Sequence, residues 1–573
     1  MIHESTLNTK ARPIRVDLAF LLTTLLLALV AFAVLLPLGI LIVNSFQVAR
    51  PGAPAVFGLE GWREAVTSPG ILSAVEYTFS LAIIRQIVAL FVGIILAWLI
   101  ARTDLPAKGW LEFAFWLSFF FPALPLTLGW ILLLDPKFGL INQWLMNLPF
   151  VHEPPFNIYS FWGIVWAHMT GSIGVKVLLL TPAFRNLNAE LEESSRIAGV
   201  GPLGTLFHVV VPVMMPAILV ATILGLIRSL EAFEIELILG VPVGINVYST
   251  KIYEFVSHSP PHFSTATALS TIFLAVLLLL VALQRLYLGR RIYTTLTGRG
   301  FSTRPIALGR WRYPAFILVA ALGLVVTVVP SLFLLLGTFM KLFGHFDIRG
   351  AWTLDNWRHI FNDPVLLRSL WNTLAVGMGA GLAGAVLFSL IAYVIARTQV
   401  AGRWLLDFLS WLPWSIPGVL LSVALFWTFL QTPVFRPIYG TIYLLIIAMV
   451  IKGMPIGVQL IKSVLMQLGN EMEEAARISG GNWLSTYCRI VVPLIYPALL
   501  TVGLVTFISA ARDISTVVLL GRGESRTLSL LMLDYTVGAD FEKATVVAVM
   551  IVALVTLAAL VARAVGGQIS VRS

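Results

Sequence analysis

With one cysteine, Cys488, in 573 residues, the chain has no internal disulfide to draw on. Charge is scarce too: Asp, Glu, Lys and Arg make up 12% of residues, about half the share of an ordinary soluble protein. That is too little to cover a soluble globule of this size, and it excludes a disordered chain or an extended nucleic-acid binder. Acidic residues are the rarer sign, 28 against 38 Lys and Arg. No G-x-x-x-x-G-K-[ST] phosphate loop occurs, and no Ser/His/Asp, Cys/His or paired-carboxylate arrangement stands out for catalysis. What the chain has is apolar side chains, 58% of the total, with a mean hydropathy of +0.92. The composition describes an all-α polytopic membrane protein.

A helix crossing the hydrocarbon core needs about 20 mostly apolar residues. Stretches of that kind fall at 18–43, 78–101, 113–134, 156–180, 210–230 and 265–284. They resume at 315–340, 370–396, 408–430, 437–458, 490–511 and 544–562, giving about twelve spans. The basic start, with Lys10, Arg12 and Arg15, precedes an apolar run too long for a cleaved signal, so an uncleaved first span is expected. An even span count puts both termini on one side. Placing them in the cytoplasm leaves about 21 Lys/Arg inside against about 12 outside, as positive loops prefer. The richest basic stretch, Arg285 to Arg312, reads as a cytoplasmic linker.

The chain repeats itself. Ile100-Ala101-Arg102-Thr103 recurs as Ile395-Ala396-Arg397-Thr398, and 190–219 matches 471–500 with 14 of 30 positions identical, against roughly three or four by chance in so biased a composition. The expected division is a first repeat at 1–290 with a coupling loop at 186–212, a linker at 291–312, and a second repeat at 313–573 with a coupling loop at 467–493. Two six-helix repeats in the same orientation imply a pseudo-two-fold axis along the membrane normal and a pathway between the halves.

Within the longer match, Glu192 and Arg196, and Glu473 and Arg477, have the i, i+4 spacing of helical ion pairs. Each short amphipathic helix then meets a glycine suited to a left-handed cap, Gly199 or Gly480. Pro212 or Pro493 follows, where the next span is expected to start. This segment resembles the cytoplasmic signature of inner-membrane permeases of binding-protein-dependent (type I) ATP-binding-cassette importers: Glu-Ala-Ala, three residues, Gly, nine residues, Ile-x-Leu-Pro. The second half carries it as Glu474, Ala475, Ala476, Gly480, Ile490 and Pro493, with Val492 at the Leu position. The first half keeps Glu193, Gly199 and Pro212, with Ser194, Ser195, Val209 and Val211 at the other positions.

The resemblance covers essentially the whole chain as two fused permease domains of the MetI-like fold. It implies that the short helices are coupling helices, each seated on an ATPase subunit. It further implies two copies of that ABC ATPase, which hold ATP and Mg, since this chain has no phosphate loop; no cofactor or metal is expected on this chain itself. The remaining implied partners are a periplasmic substrate-binding protein and membrane lipid, in a bacterial inner membrane. Segments such as RDISTVVLLGRG look most like the ferric-iron-type subfamily, whose relatives serve thiamine, 2-aminoethylphosphonate, polyamines and sugar phosphates. The alternative is a secondary transporter of the major-facilitator kind, which also has twelve spans in two halves. Its Asp/Arg-rich Gly motif is missing from the corresponding loop here, TDLPAKG at 103–109.

Ionisable residues inside spans are costly and mark function. Arg228, Glu231, Glu234 and Glu236 lie at or just after the end of the fifth span of the first half, and Arg512 and Asp513 just after that of the second. The two segments are expected to face each other across the axis and line the pathway, with a Glu231–Arg512 pair. Arg85, Lys176 and Lys452 are placed near span ends, within reach of head groups or water. His258 and His262 share i, i+4 spacing, but Ser259-Pro260-Pro261 interrupts any helix between them.

Overall fold

The computed structural model describes residues 18–48, 56–289 and 305–570. The basic N-terminal stretch and most of the expected 291–312 linker lie outside the described residues. Regular structure among the described residues is helical, apart from three isolated bridges. Among the described residues ten helices are long and apolar enough to cross a membrane, and two bent helix pairs raise the number to twelve. All twelve stretches expected from the sequence coincide with one of these.

The bent pairs are the third span of each half. Lys108–Phe120 and Ala123–Leu134 meet at 104°, and Arg403–Ser415 and Gly418–Gln431 at 110°. The sequence suggested straight spans there because the apolar run is continuous. Pro122 and Pro417 break them: proline forces the residue before it out of the helical region, and both prolines have extended backbone, with ψ of 139° and 145°.

The second spans, Ile71–Arg102 and Pro364–Arg397, pack along the fourth spans, Phe161–Arg185 and Ile442–Gln467. At one crossing the halves exchange large for small. A Cβ on Gly93 would lie 2.3 Å from the Lys176 Cβ. At the corresponding positions of the other half the small residue is Gly457, whose Cβ would lie 2.1 Å from the Phe388 ring. One half builds the contact as Gly/Lys and the other as Phe/Gly, filling the same space from opposite helices.

The first helices reach across to the other half. Leu18–Asn44 lies on Gly418–Gln431, and Val329–Gly337 on Ala123–Leu134. Gly129 permits the second contact, since a Cβ there would lie 2.1 Å from the Pro330 carbonyl oxygen. At the first contact Asn44 and Gln431 exchange amide hydrogen bonds of 3.2 and 2.9 Å. Each half is thus clasped by the leading helix of the other.

Candidate coupling and pathway sites

The two helices expected to dock are Ala189–Ile197 and Glu471–Ile478. Gly199 and Gly480 take φ of +80° and +84°, and the N–H groups of Val200 and Gly481 reach back to the carbonyls of Ser195 and Ala476 at 3.1 and 2.8 Å. These are the bonds of a Schellman cap, which needs a residue tolerant of the left-handed region. Glu474, Ser194 and Ala475 are exposed, Glu193 and Ala476 half-buried. Ser195 turns inward, its hydroxyl 3.0 Å from that of Thr205. Ile197 and Ile478, at equivalent positions, are each 88% exposed, leaving an apolar tip on each helix.

Beyond the caps the fifth spans begin earlier than the sequence suggests, at Pro202 and Trp483. Pro212 and Pro493 are carried inside continuous helices because a π turn precedes each, at Leu206–Val210 and Tyr487–Val491. The wider turn removes the clash and the lost hydrogen bond that proline imposes on a regular helix.

Glu192 and Glu473 have other partners than those expected from their spacing. The side chains of Arg196 and Arg477 lie outside those described, and the acids point inward, to the arginines of the repeated Ile-Ala-Arg-Thr. Arg102 binds Glu192 through Nε at 3.0 Å and through Nη2, both side chains 2% exposed. Arg397 lies 3.1 Å from Glu473 as an ion pair rather than an aligned hydrogen bond. There Tyr393 donates to the other carboxylate oxygen at 2.9 Å, and Arg397 also binds the carbonyls of Leu465 and Leu468 at 2.8 Å.

At the far end of the fifth spans, Val211–Leu230 and Val492–Arg512, the two charged segments do meet. Glu234 lies beside the backbone of Ile514 and within electrostatic reach of Asp513, Lys452 and Arg512. The expected Glu231–Arg512 pair does not form. Glu231 lies 3.2 Å from Arg228, one turn back on its own chain. Arg512 donates to the carbonyls of Phe119 and Phe121 at 2.8 and 3.4 Å, because the break at Pro122 leaves those carbonyls without helical donors.

Arg512 also faces the Phe119 ring at 5.6 Å, while Arg228 covers the Trp414 ring at 4.6 Å. Phe119 and Trp414 are equivalent in the repeat, three residues before Pro122 and Pro417. Each fifth span therefore ends in an arginine that grips the broken third span of the other half.

Three residues placed at span ends by the sequence lie well inside their helices, Arg85 and Lys176 buried and Lys452 half-buried. Lys452 binds Asp513, and Thr516 at 2.9 Å. Lys176, 2% exposed, donates to the Ala221 carbonyl at 3.1 Å. Arg85, 3% exposed, donates to the Ser229 hydroxyl at 3.1 Å and lies 3.6 Å from Glu236, which His168 joins at 2.8 Å. His262 faces Glu64 at 3.1 Å. Sequence reasoning missed Trp414, His168 and the role of Arg102 and Arg397, and it named Glu236 without its partners. The repeated Ile-Ala-Arg-Thr was the available signal for the last two.

The sequence pattern of the family described as "Binding-protein-dependent transport system inner membrane component" matches residues 89–294 and again 385–570. The chain is 27% identical over 392 residues to the ferric transport system permease protein FbpB of Actinobacillus pleuropneumoniae, with 66% of this chain and 54% of that one aligned. It thus spans little more than half the length of that relative. A Fe(3+)-transport system permease protein of Haemophilus influenzae is 22% identical, with 92% of this chain and 95% of that one aligned. A probable sulfate transport system permease protein of Zygnema circumcarinatum is 29% identical over 40% of this chain and 78% of its own length. With its pattern present twice and covering most of the sequence, the chain belongs to the binding-protein-dependent inner-membrane permease family of ABC importers.

Proposed function

We propose that this chain supplies both permease halves, 1–290 and 313–573, of an ATP-driven importer, with ferric iron as its cargo. In this reading two ATPase subunits carrying ATP and Mg seat under the docking helices, on the side where both termini lie. Glu193, Ser194, Ser195, Gly199 and Pro212, and Glu474, Ala475, Ala476, Gly480 and Pro493, form the two coupling loops. The observation that carries the reading is the duplicated docking helix, with the same cap and the same exposed isoleucine in each half. A lone interfacial helix would need neither the repetition nor an apolar tip pointing away from the bundle.

A loaded binding protein docks on the outer loops, which include 135–155 and 240–264. Nucleotide binding then draws the ATPases together and displaces the docking helices. A bound ligand moves a protein only by its differential affinity for two states, so the displacement must reach contacts that differ between them. The crossed contacts of Arg228 with Trp414 and of Arg512 with Phe119 are suited to that role, because both join one half to the other. Parting them opens the path outward past Glu231, Glu234 and Asp513, and hydrolysis restores the closed arrangement.

Ferric iron is favoured by the two ferric relatives, one aligned over nearly its full length; a sulfate relative and the mixed charges of the pathway keep anions in the test. The chain would be co-expressed with its neighbouring ATPase and binding protein, reconstituted in liposomes, and assayed for uptake of labelled ferric ion, sulfate, thiamine, 2-aminoethylphosphonate, a polyamine and a sugar phosphate. ATP-dependent ferric uptake is the expected result. Uptake driven by an ion gradient without nucleotide would refute the importer reading and restore the facilitator one.

A further inference from the structure

The docking helices connect to the pathway through a second line of contacts, separate from the fifth spans, and it is the same in both halves. It starts at the buried Arg102–Glu192 and Arg397–Glu473 pairs, which fix each docking helix to the inner end of a second span. Toward the other end of those helices, Thr78 and Thr373 accept hydrogen bonds from the backbone N–H groups of Tyr248 and Leu528, each 2.8 Å. Tyr248 and Leu528 open the short outer helices Tyr248–Ser257 and Leu528–Val537. From these, Ser249 donates to the Ala232 carbonyl and Ser529 to the Asp513 carbonyl. Ala232 and Asp513 are repeat-equivalent and sit beside Glu231 and Arg512.

The helix between the two ends is suited to transmit displacement. Thr78 and Arg102 are separated by about 36 Å of helix axis, as are Thr373 and Arg397, at about 1.5 Å per residue. Neither second span has a proline in its interior. The fourth spans carry Pro182 and Pro455, and the fifth spans Pro216 and Pro497 besides their π turns. Prolines and π turns are where helices bend, so the second spans are the stiffer link.

Resting on the importer reading above, we infer that each second span is a rod carrying docking-helix displacement to the charged segments between the halves. Arg102 and Arg397 are positioning residues at its inner end, and Thr78 and Thr373 at its outer end. The fifth span stays attached to the docking helix, but its bends absorb movement that the second span passes on.

The test uses the permease assembled with its ATPase subunits in nanodiscs, in a Cys488→Ser background, with two pairs of spin labels. Labels replacing Leu203 and Leu484 report the docking side, and labels replacing Ser257 and Val537 report the outer helices; all four positions are exposed. In the otherwise native chain both distances change when ATP is added with vanadate. In R102M/R397M the inner change persists and at least half of the outer change is lost. T78V/T373V, which leaves the ion pairs intact, gives the same split and carries the test if the arginine variant does not assemble. The charge-exchanged R102E/E192R restores the outer change in the first half. An outer change of native size in an assembled R102M/R397M or T78V/T373V variant overturns the rod. No nucleotide-dependent change at the inner pair of the native chain overturns the importer reading itself, and the rod with it.

Discussion

Removing the Arg512 side chain, as in Arg512→Met, should open the closed state more than removing any other cation at the interface. Its guanidinium donates to the Phe119 carbonyl at 2.8 Å and to the Phe121 carbonyl at 3.4 Å, and faces the Phe119 ring. A hydrogen bond involving a charged group contributes about 1.5–3 kcal/mol, and a cation–π contact about 0.5–2 kcal/mol. Counting the short bond fully, the ring at its lower end and the longer bond not at all gives about 2–3.5 kcal/mol of preference for closure. At about 1.4 kcal/mol per tenfold, the open fraction should rise by roughly 30- to 300-fold. Arg228 offers a useful contrast, since it is 48% exposed and holds Trp414 only through the ring. Its replacement by Met should shift the balance by about 0.5–1 kcal/mol, or roughly two- to five-fold. The assay is the labelling rate of a cysteine at Ser415, 3% exposed beside Trp414, by a membrane-impermeant maleimide in Cys488→Ser proteoliposomes without nucleotide. Equal rates in R512M and the parent, or a larger increase in R228M than in R512M, would refute the assignment of closure to these contacts.

Replacing Glu474 by Ala together with Gly480→Val should leave insertion intact and lower the ratio of uptake to ATP hydrolysis at least tenfold, because a β-branched residue is strained at φ +84°; unchanged uptake would count against the docking role. At the exchanged crossing, G93F should abolish a folded, monodisperse species, since a Cβ alone meets Lys176 at 2.3 Å. G93F/K176G, which copies the second half, should recover most of the stability, as read by thermal denaturation in detergent; equal failure of both would remove the equivalence. Q431L should cost about 1–3 kcal/mol by leaving the buried Asn44 amide unpaired, N44L less because Gln431 is exposed, and the double variant less than their sum, a comparison open to the same assay. Strict additivity would mean that the Asn44–Gln431 pair does not clasp the halves.

The spans, the duplication and the docking caps were legible because each leaves a local signature: an apolar run, an internal match, or a glycine after an amphipathic turn. The bends of the third spans were only half legible. Pro122 and Pro417 were visible, but proline is tolerated within spans when neighbours satisfy the freed groups, so sequence alone does not separate a kink from a break of 104° or 110°. Partner choice was the least legible level. Glu192 and Arg196 have good spacing for a surface pair, yet Glu192 is buried against Arg102, ninety positions earlier in the chain. Glu231 and Arg512 are equivalent in the repeat, and equivalence suggested that they face each other. A pseudo-two-fold axis instead sends each fifth span to the other half's third span, which is where Arg512 and Arg228 are found.

The halves agree at the short helices and along the second spans and differ in the charges buried between them. Docking caps, inner ion pairs, threonine contacts and serine contacts occur twice at matching positions. Between them the charges occur once. The Arg85–Glu236–His168 cluster corresponds to Ala380, Val517 and Met449, and the Lys452–Asp513 pair to Gly171 and Ala232. A buried ionic group is costly wherever it is placed, so a purely structural role served equally by alanine, valine and methionine in the other half would give little reason to retain it. In the importer reading proposed above, two ATPases of one kind would act together on the matching contacts. On the same reading the surface facing cargo need not match, and two dissimilar half-surfaces would form one asymmetric site on the axis rather than two equivalent ones.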